Sequence, residues 1–114
     1  MDDCIFCKII RGEIPGSKVY EDDLVLAFDD IKPAAPVHVV VIPKQHIPTL
    51  MDVNDSQIEY LHAMMAAVPK IAKLKGIDER GFRVMLNCNL EGGQVVFHLH
   101  LHVLGGKKPG CNPG

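Results

Sequence analysis

The chain has 114 residues, a formal net charge of −2, and 47% hydrophobic and 23% charged residues. This is the composition of one ordinary globular domain, which excludes disordered, collagenous and coiled-coil chains, and folding at this length buries about two-thirds of the surface that the unfolded chain exposes. There is no basic field to hold DNA or long RNA, the longest apolar run is the short one around Val39–Ile42, and the Met-Asp-Asp start carries no signal-peptide pattern, so a single cytoplasmic domain is expected over residues 1–114, with a core over about 4–106, a short tail over 107–114 and no membrane partner.

In chain order, Ile5–Arg11 reads as a short helix closed by Gly12, and Ile14-Pro15-Gly16 is turn chemistry. Lys18–Glu21 is a short strand. Leu24–Asp29 alternates through Leu24, Leu26 and Phe28, which suits a half-buried strand. Lys32–Pro36 is a rigid loop, and β-branched Val37–Ile42 is a strand that Pro43 should end. A long helix follows, with capping-box pairs Asn54/Gln57 and Ser56/Glu59 at its start and Gly76 at its stop. Pro69 removes one hydrogen bond from it, so a kink rather than a break is expected. Phe82–Asn87 and Val95–Leu104 complete the strands, joined by a loop with Gly92-Gly93. Strands that cluster without βαβ alternation imply an α+β domain: a mainly antiparallel sheet of about five strands with one long and one short helix.

The long helix also bears on partners. Ile58, Leu61, Met65, Val68 and Ala72 form one apolar stripe, and Tyr60, Met64, Ala67, Ile71 and Leu74 form a second beside it. A sheet needs only one of them, so a second copy of the chain is expected to cover the other, as a homodimer.

Six histidines and four cysteines stand out. Cys4-x-x-Cys7 in a chain without a signal peptide reads as a metal or redox site, whereas Cys88 and Cys111 read as ordinary small side chains. In His98-Leu99-His100-Leu101-His102-Val103-Leu104, strand alternation puts the histidines on one face and the apolar residues on the other. Three imidazoles in a row are an expensive surface unless something uses them. Ligation of one metal ion and an imidazole nucleophile with helpers are both open on this pattern.

These residues resemble the histidine triad family, specifically its nucleotide-binding, purine nucleoside phosphoramidase branch. The triad pattern carries the resemblance. It extends through Gly92-Gly93-Gln94, Gly105-Gly106, Ile5–Ile10, Glu13–Pro15, Glu21–Asp23, Ala27–Ile31, Ala35–His38 and Ile42–His46, so it covers nearly all of the chain up to Gly106. The resemblance implies hydrolysis of purine nucleoside phosphoramidates, such as adenosine monophosphate linked to an amine, through a nucleotidyl-histidine intermediate. It implies that His100 is the nucleophile, held in one tautomer by a backbone carbonyl, with His102 assisting the leaving group and His38 supporting the triad. Asp30 would take the ribose hydroxyls, Phe6, Ile9, Phe28 and Ile31 would wall the purine, and Asn87, Gly93, Gln94, Val95, His100 and His102 would lie near the phosphate. At Val95, where relatives often carry a polar residue, only the backbone N–H can serve. Some relatives bind a structural zinc, and the matching positions here are Cys4, Cys7, His46 and His98; no catalytic cofactor is expected. AMP or GMP and their phosphoramidates are the implied small-molecule partners. Dinucleoside polyphosphate hydrolysis, a nucleotide-binding scaffold with little turnover, and a three-histidine metal oxygenase are the competing readings.

Overall fold

The computed structural model describes residues 3–106. Its elements are α1 (Ile5–Ile10), β1 (Lys18–Glu21), β2 (Val25–Asp29), β3 (Val37–Pro43), α2 (Ile58–Leu74), β4 (Phe82–Leu86) and β5 (Leu101–Gly105). The strands form one five-stranded sheet in the order β1-β2-β3-β5-β4, antiparallel at every pairing. The expected α+β class, with a long and a short helix, is the one observed. The tail with Cys111 lies outside the described residues.

Each face of the sheet carries its own core. Val25, Ala27, Val39, Val41, Leu101 and Val103 point toward α2 and pack on Met64, Ala67, Val68, Ile71 and Ala72. Leu26, Phe28, Val40 and Ile42 point the other way and pack on Phe6 and Ile9 of α1. β2 is therefore covered on both sides, not half-buried as its alternation suggests. Its ladder starts at Val25 because Asp22 Oδ1 accepts the N–H groups of Leu24 (2.8 Å) and Val25 (2.9 Å) in a turn.

Two further boundaries differ from expectation. β3 runs through Pro43, which pairs with Val25. The strand expected over Val95–Leu104 enters the ladder only at Leu101. The register explains this. Val41 faces Leu101, so two residues further back Leu99 would face Pro43, which has no N–H to give. Leu99 N–H turns to the Ile47 carbonyl instead, at 2.6 Å.

The expected Asn54/Gln57 capping pair caps the turn ahead of the long helix, not the helix itself, whose N-cap Gln57 makes no side-chain cap bond: Asn54 Oδ1 accepts the Ser56 N–H (3.0 Å), and Gln57 Oε1 accepts the Asn54 N–H (3.1 Å). The Ser56/Glu59 alternative is not used, because the Ser56 hydroxyl donates to Asn54 Oδ1 at 2.6 Å. One 3₁₀ turn, Asp55–Gln57, precedes α2. The helix continues past Pro69, which lies on its exposed side, where water can take the freed carbonyl. The two apolar stripes are shared out differently than expected. The buried face takes Met64, Ala67 and Ile71 from one and Val68 and Ala72 from the other. Ile58, Met65 and Leu74 remain 50%, 53% and 64% exposed.

This division sets a stability test. Replacing fully buried Ile71 with alanine should cost about 2–5 kcal/mol through lost burial and a cavity. Leu74→Ala, on the open side, should cost no more than about 0.5 kcal/mol. Urea midpoints of the two variants measure the difference, and equal losses would contradict the packing.

Candidate active site and metal centre

Although His98 and His100 precede the ladder, alternation persists through the segment. Leu99, Leu101 and Val103 sit in the α2-side core, while Phe6 of α1 meets the rings of His98 and His100 edge-on, with centroids 5.8 and 5.2 Å apart. The three imidazoles nevertheless do not converge on one point, so they do not ligate one ion together. His98 faces a different group from His100 and His102.

The main chain fixes the tautomers. His100 Nδ1 lies 2.7 Å from the His98 carbonyl, which can only accept, so Nδ1 carries the proton and Nε2 keeps its lone pair. The Ala34 N–H donates to His38 Nδ1 at 3.0 Å. His38 therefore carries its proton on Nε2 and donates it to His102 Nδ1 at 2.8 Å. That leaves His102 with a proton on Nε2. A lone pair on His100 thus sits beside an N–H donor on His102, with ring centroids 5.0 Å apart. Asp30 Oδ2 stands 3.5 Å from His38 Nε2. Asp30, His38 and His102 bring three possible donor atoms within 4.8 Å of one another. The proton on His38 Nε2 is committed to His102 Nδ1, so His38 and His102 form a hydrogen-bonded pair with Asp30 beside it, not a ligand set.

Burial keeps the His100 and His102 rings neutral. It pushes His102 down to about 4 and lowers His100 below its ordinary value, with the His98 carbonyl and the Asp30 carboxylate opposing the shift at His100.

His100 and His102 open into a cavity of about 270 Å³ that Asn87, Gly93, Val95 and Val96 also line. Phe6, Asp30 and Val40 are common to this cavity and to a neighbouring one of about 450 Å³, whose other walls include Ile9, Phe28 and Ile31. The four expected purine-wall residues and Asp30 are therefore brought together, with Ile31 91% exposed at the rim. The loop between β4 and β5 needs its glycines. A Cβ on Gly92 would come within 2.3 Å of the Cys88 carbonyl, and Gly93 has φ +86°.

Gln94 has another task than the one expected of it. It is buried, and its amide nitrogen donates to the carbonyls of Pro48 (2.8 Å) and Val96 (3.0 Å) while its oxygen accepts the Asn89 N–H (2.8 Å). Its side chain builds the loop and does not line the cavity. The Val95 side chain does line it and is 86% exposed. Sequence reasoning missed Val40 and Val96, which read as plain strand residues. It also could not see which main-chain atoms set the tautomers, since the Ala34 N–H and the carbonyls of His98 and Pro43 carry no residue-type signal.

The second group is Cys4, Cys7, His46 and His98, with donor atoms within 4.8 Å of one another, so it could hold a metal ion. His98 Nε2 donates to the Pro43 carbonyl at 2.9 Å, which turns the lone pair on Nδ1 toward the sulfurs of Cys4 (3.3 Å) and Cys7 (3.6 Å). His46 Nδ1 lies 3.3 Å from Cys7 Sγ. Burial lowers His46, pushes His98 down to about 4 and raises the Cys7 thiol. The helix α1 delivers both cysteines, with Cys4 as its N-cap.

Comparison with known proteins places this geometry. The family model described as scavenger mRNA decapping enzyme C-term binding matches residues 3–112. A purine nucleoside phosphoramidase of Escherichia coli K12 is 49% identical over 109 residues, covering 96% of this chain and 92% of that protein. A HIT family hydrolase from Legionella pneumophila superposes with a TM-score of 0.93 at 48% identity, covering 98% of this chain and all of the other. A histidine triad protein from Clostridium difficile gives a TM-score of 0.95 at 51% identity, over 99% and 98% of the two chains. No helix among the described residues is long and apolar enough to cross a membrane.

The pH response follows from the burial. Because the folded-state values of His100 and His102 lie below 6.5, both rings stay neutral as the pH falls through 6.5. An exposed histidine in the unfolded chain protonates there, so His102 withdraws stability between pH 6.5 and about 4, at up to about 1.4 kcal/mol per pH unit. An NMR titration of the imidazole C–H resonances should place both midpoints below 6.5, His102 the lower at about 4. A midpoint at or above 6.5 for either ring contradicts the assignment.

Proposed function

The chain belongs to the histidine triad family of hydrolases, and on that premise we propose that it hydrolyses purine nucleoside phosphoramidates through a nucleotidyl intermediate on His100. The observation that carries this reading is the His100 Nδ1–H bond to the His98 carbonyl, which leaves the Nε2 lone pair at the cavity wall. In this mechanism the purine lies between Phe6, Ile9, Phe28 and Ile31, and Asp30 accepts hydrogen bonds from the ribose hydroxyls. The phosphate lies against Asn87, Gly93 and the backbone of Val95. His100 Nε2 attacks phosphorus, an N–P bond forms, and the bond to the amine breaks. His102 holds its Nε2–H against the phosphate oxygens and gives that proton to the departing nitrogen, with His38 behind it holding that tautomer. Water then attacks the nucleotidyl-imidazole, returns a proton to the site and releases the nucleoside monophosphate, AMP or GMP.

Cys4, Cys7, His46 and His98 would hold a structural zinc, closed to substrate and outside the chemistry. A tetrahedral zinc with bonds of about 2.3 Å to sulfur and about 2.1 Å to nitrogen spaces the two donor types about 3.6 Å apart. Sulfur–nitrogen separations of 3.3, 3.3 and 3.6 Å support that fit. A thiol-borne metal also suits the reducing cytoplasm, the proposed location. The proposed homodimer would cover Ile58 and Met65 of α2 together with the edge strand β4, where Phe82, Val84 and Met85 are each at least 37% exposed.

His100→Ala should lower turnover of an adenosine phosphoramidate by several orders of magnitude while changing AMP binding far less. Rapid quenching of the unmodified protein with labelled substrate should trap an acid-labile adduct on His100. Near-normal turnover by the variant, or label on another residue, would refute the mechanism. Faster hydrolysis of a diadenosine polyphosphate than of the phosphoramidate would move the substrate class. For the assembly, light scattering at micromolar concentration should report twice the chain mass, and a monomer there removes the dimer.

A further inference from the structure

The segment that carries His100 has an unusual means of support. Residues 94–100 stand outside the sheet ladder, so neither neighbouring strand fixes the main chain around the reactive ring. Gln94 anchors the start of this segment to Pro48 and Asn89, and at His98 and Leu99 three attachments replace the ladder. Leu99 N–H donates to the Ile47 carbonyl, the residue after His46. His98 Nε2–H donates to the Pro43 carbonyl, and His98 Nδ1 faces the sulfurs of Cys4 and Cys7. The His98 ring is completely buried among these partners.

His98 therefore connects the two groups in a single residue. Its ring enters the Cys/His cluster, and its carbonyl takes the Nδ1–H of His100 at 2.7 Å. We propose that Cys4, Cys7 and His46 are positioning residues for the nucleophile, acting through His98, and that zinc in their cluster holds His100 in the tautomer whose Nε2 lone pair faces the cavity. This rests on the zinc and nucleophile assignments of the proposed function and adds a coupling between them.

Two features of the fold make the coupling strong. A six-residue helix is too short to persist alone, so α1 depends on tertiary contacts for its place. The cluster ties α1 to the His98–His100 segment, and α1 brings Phe6 against the edge of the His100 ring. One cross-link thus sets the pocket wall and the carbonyl that orients the nucleophile. If the His98 ring is released, its main chain, which lies outside the ladder, is free to shift and its carbonyl moves with it. His100 then loses its Nδ1 acceptor, and the alternative tautomer presents an N–H to the cavity in place of a lone pair.

The experiment uses the full chain labelled with ¹⁵N-histidine and loaded with zinc, its metal content measured by elemental analysis. Long-range ¹H–¹⁵N spectra should show His100 with a protonated Nδ1 and an unprotonated Nε2. Removing zinc with a chelator, or Cys7→Ser in a chain that circular dichroism shows to be folded, should average the two nitrogen signals. Turnover should fall on the order of tenfold, as when a supporting shell is lost, and AMP affinity should weaken with it, because α1 carries the purine-wall residues Phe6 and Ile9. Should metal removal unfold the chain, replacing zinc with cadmium in the folded protein, with its longer bonds, should shift the His100 Nδ1–H resonance and leave those of α2 in place. His100 signals unchanged by chelation in folded protein, or by the cadmium exchange, overturn the coupling and leave the zinc assignment standing. Absence of zinc by elemental analysis overturns both. Loss of the phosphoramidase reading alone would show as no turnover with the tautomer response intact.

Discussion

At Pro43 the central strand β3 runs out of N–H donors, and the chain opposite is released from the ladder just before it reaches the middle of the triad. Residues 98–100, freed from strand pairing, have polar atoms to spend elsewhere. The Pro43 carbonyl accepts from the His98 ring, the Leu99 N–H goes to Ile47, and the His98 carbonyl takes the His100 ring. Had the ladder continued, these main-chain groups would have been committed across the sheet. The reactive end of this fold is built from the hydrogen bonds that the sheet stops making.

Desolvation and hydrogen bonding divide the labour at that end. Burial disfavours imidazolium, so the rings of His98, His100 and His102 stay neutral. Burial cannot choose which nitrogen of a neutral ring holds the proton. That choice belongs to partners with one possible role: carbonyls that only accept and an amide that only donates. Each buried histidine here has one such partner or leans on a neighbour that does. A carbonyl turns the lone pair of His98 toward thiols, another turns that of His100 toward the cavity, and the Ala34 amide, through His38, turns that of His102 away from it. Residues of one type, two apart in sequence, thereby acquire different chemistry.

Much of this was legible in the sequence, and the misses have physical reasons. The histidine–leucine alternation gave the direction of the side chains, and Leu99, Leu101 and Val103 do fill the α2-side core. It did not reveal that the ladder begins at Leu101, because that depends on which residue of another strand stands opposite. The apolar content of β2 matched a half-buried strand only until α1 was seen to cover its second face. On α2 two adjoining stripes were visible, but the sheet selects its contact face by geometry and cuts across both. Gln94 lies next to the glycines of the loop and reads as a phosphate contact. Its three bonds, to the main chain of Pro48, Val96 and Asn89, depend on a loop conformation that no local pattern encodes.

The short helix α1 shows how a chain of this size combines structural and chemical roles. It supplies the ring that walls the cavity, Phe6, and two of the four donors of the Cys/His cluster, and it covers the sheet face that holds Leu26, Phe28 and Val40. A six-residue helix can do this only if something fixes its position more firmly than its own hydrogen bonds do. Apolar contact alone is non-directional, and Phe6 and Ile9 meet Leu26, Phe28, Val40 and Ile42 through such contact. The sulfurs of Cys4 and Cys7, facing His98 and His46, give a directional contact at one end of the helix. Directional and apolar contacts together define both its distance from the sheet and its rotation about its axis. The edge-on approach of Phe6 to His100 requires both.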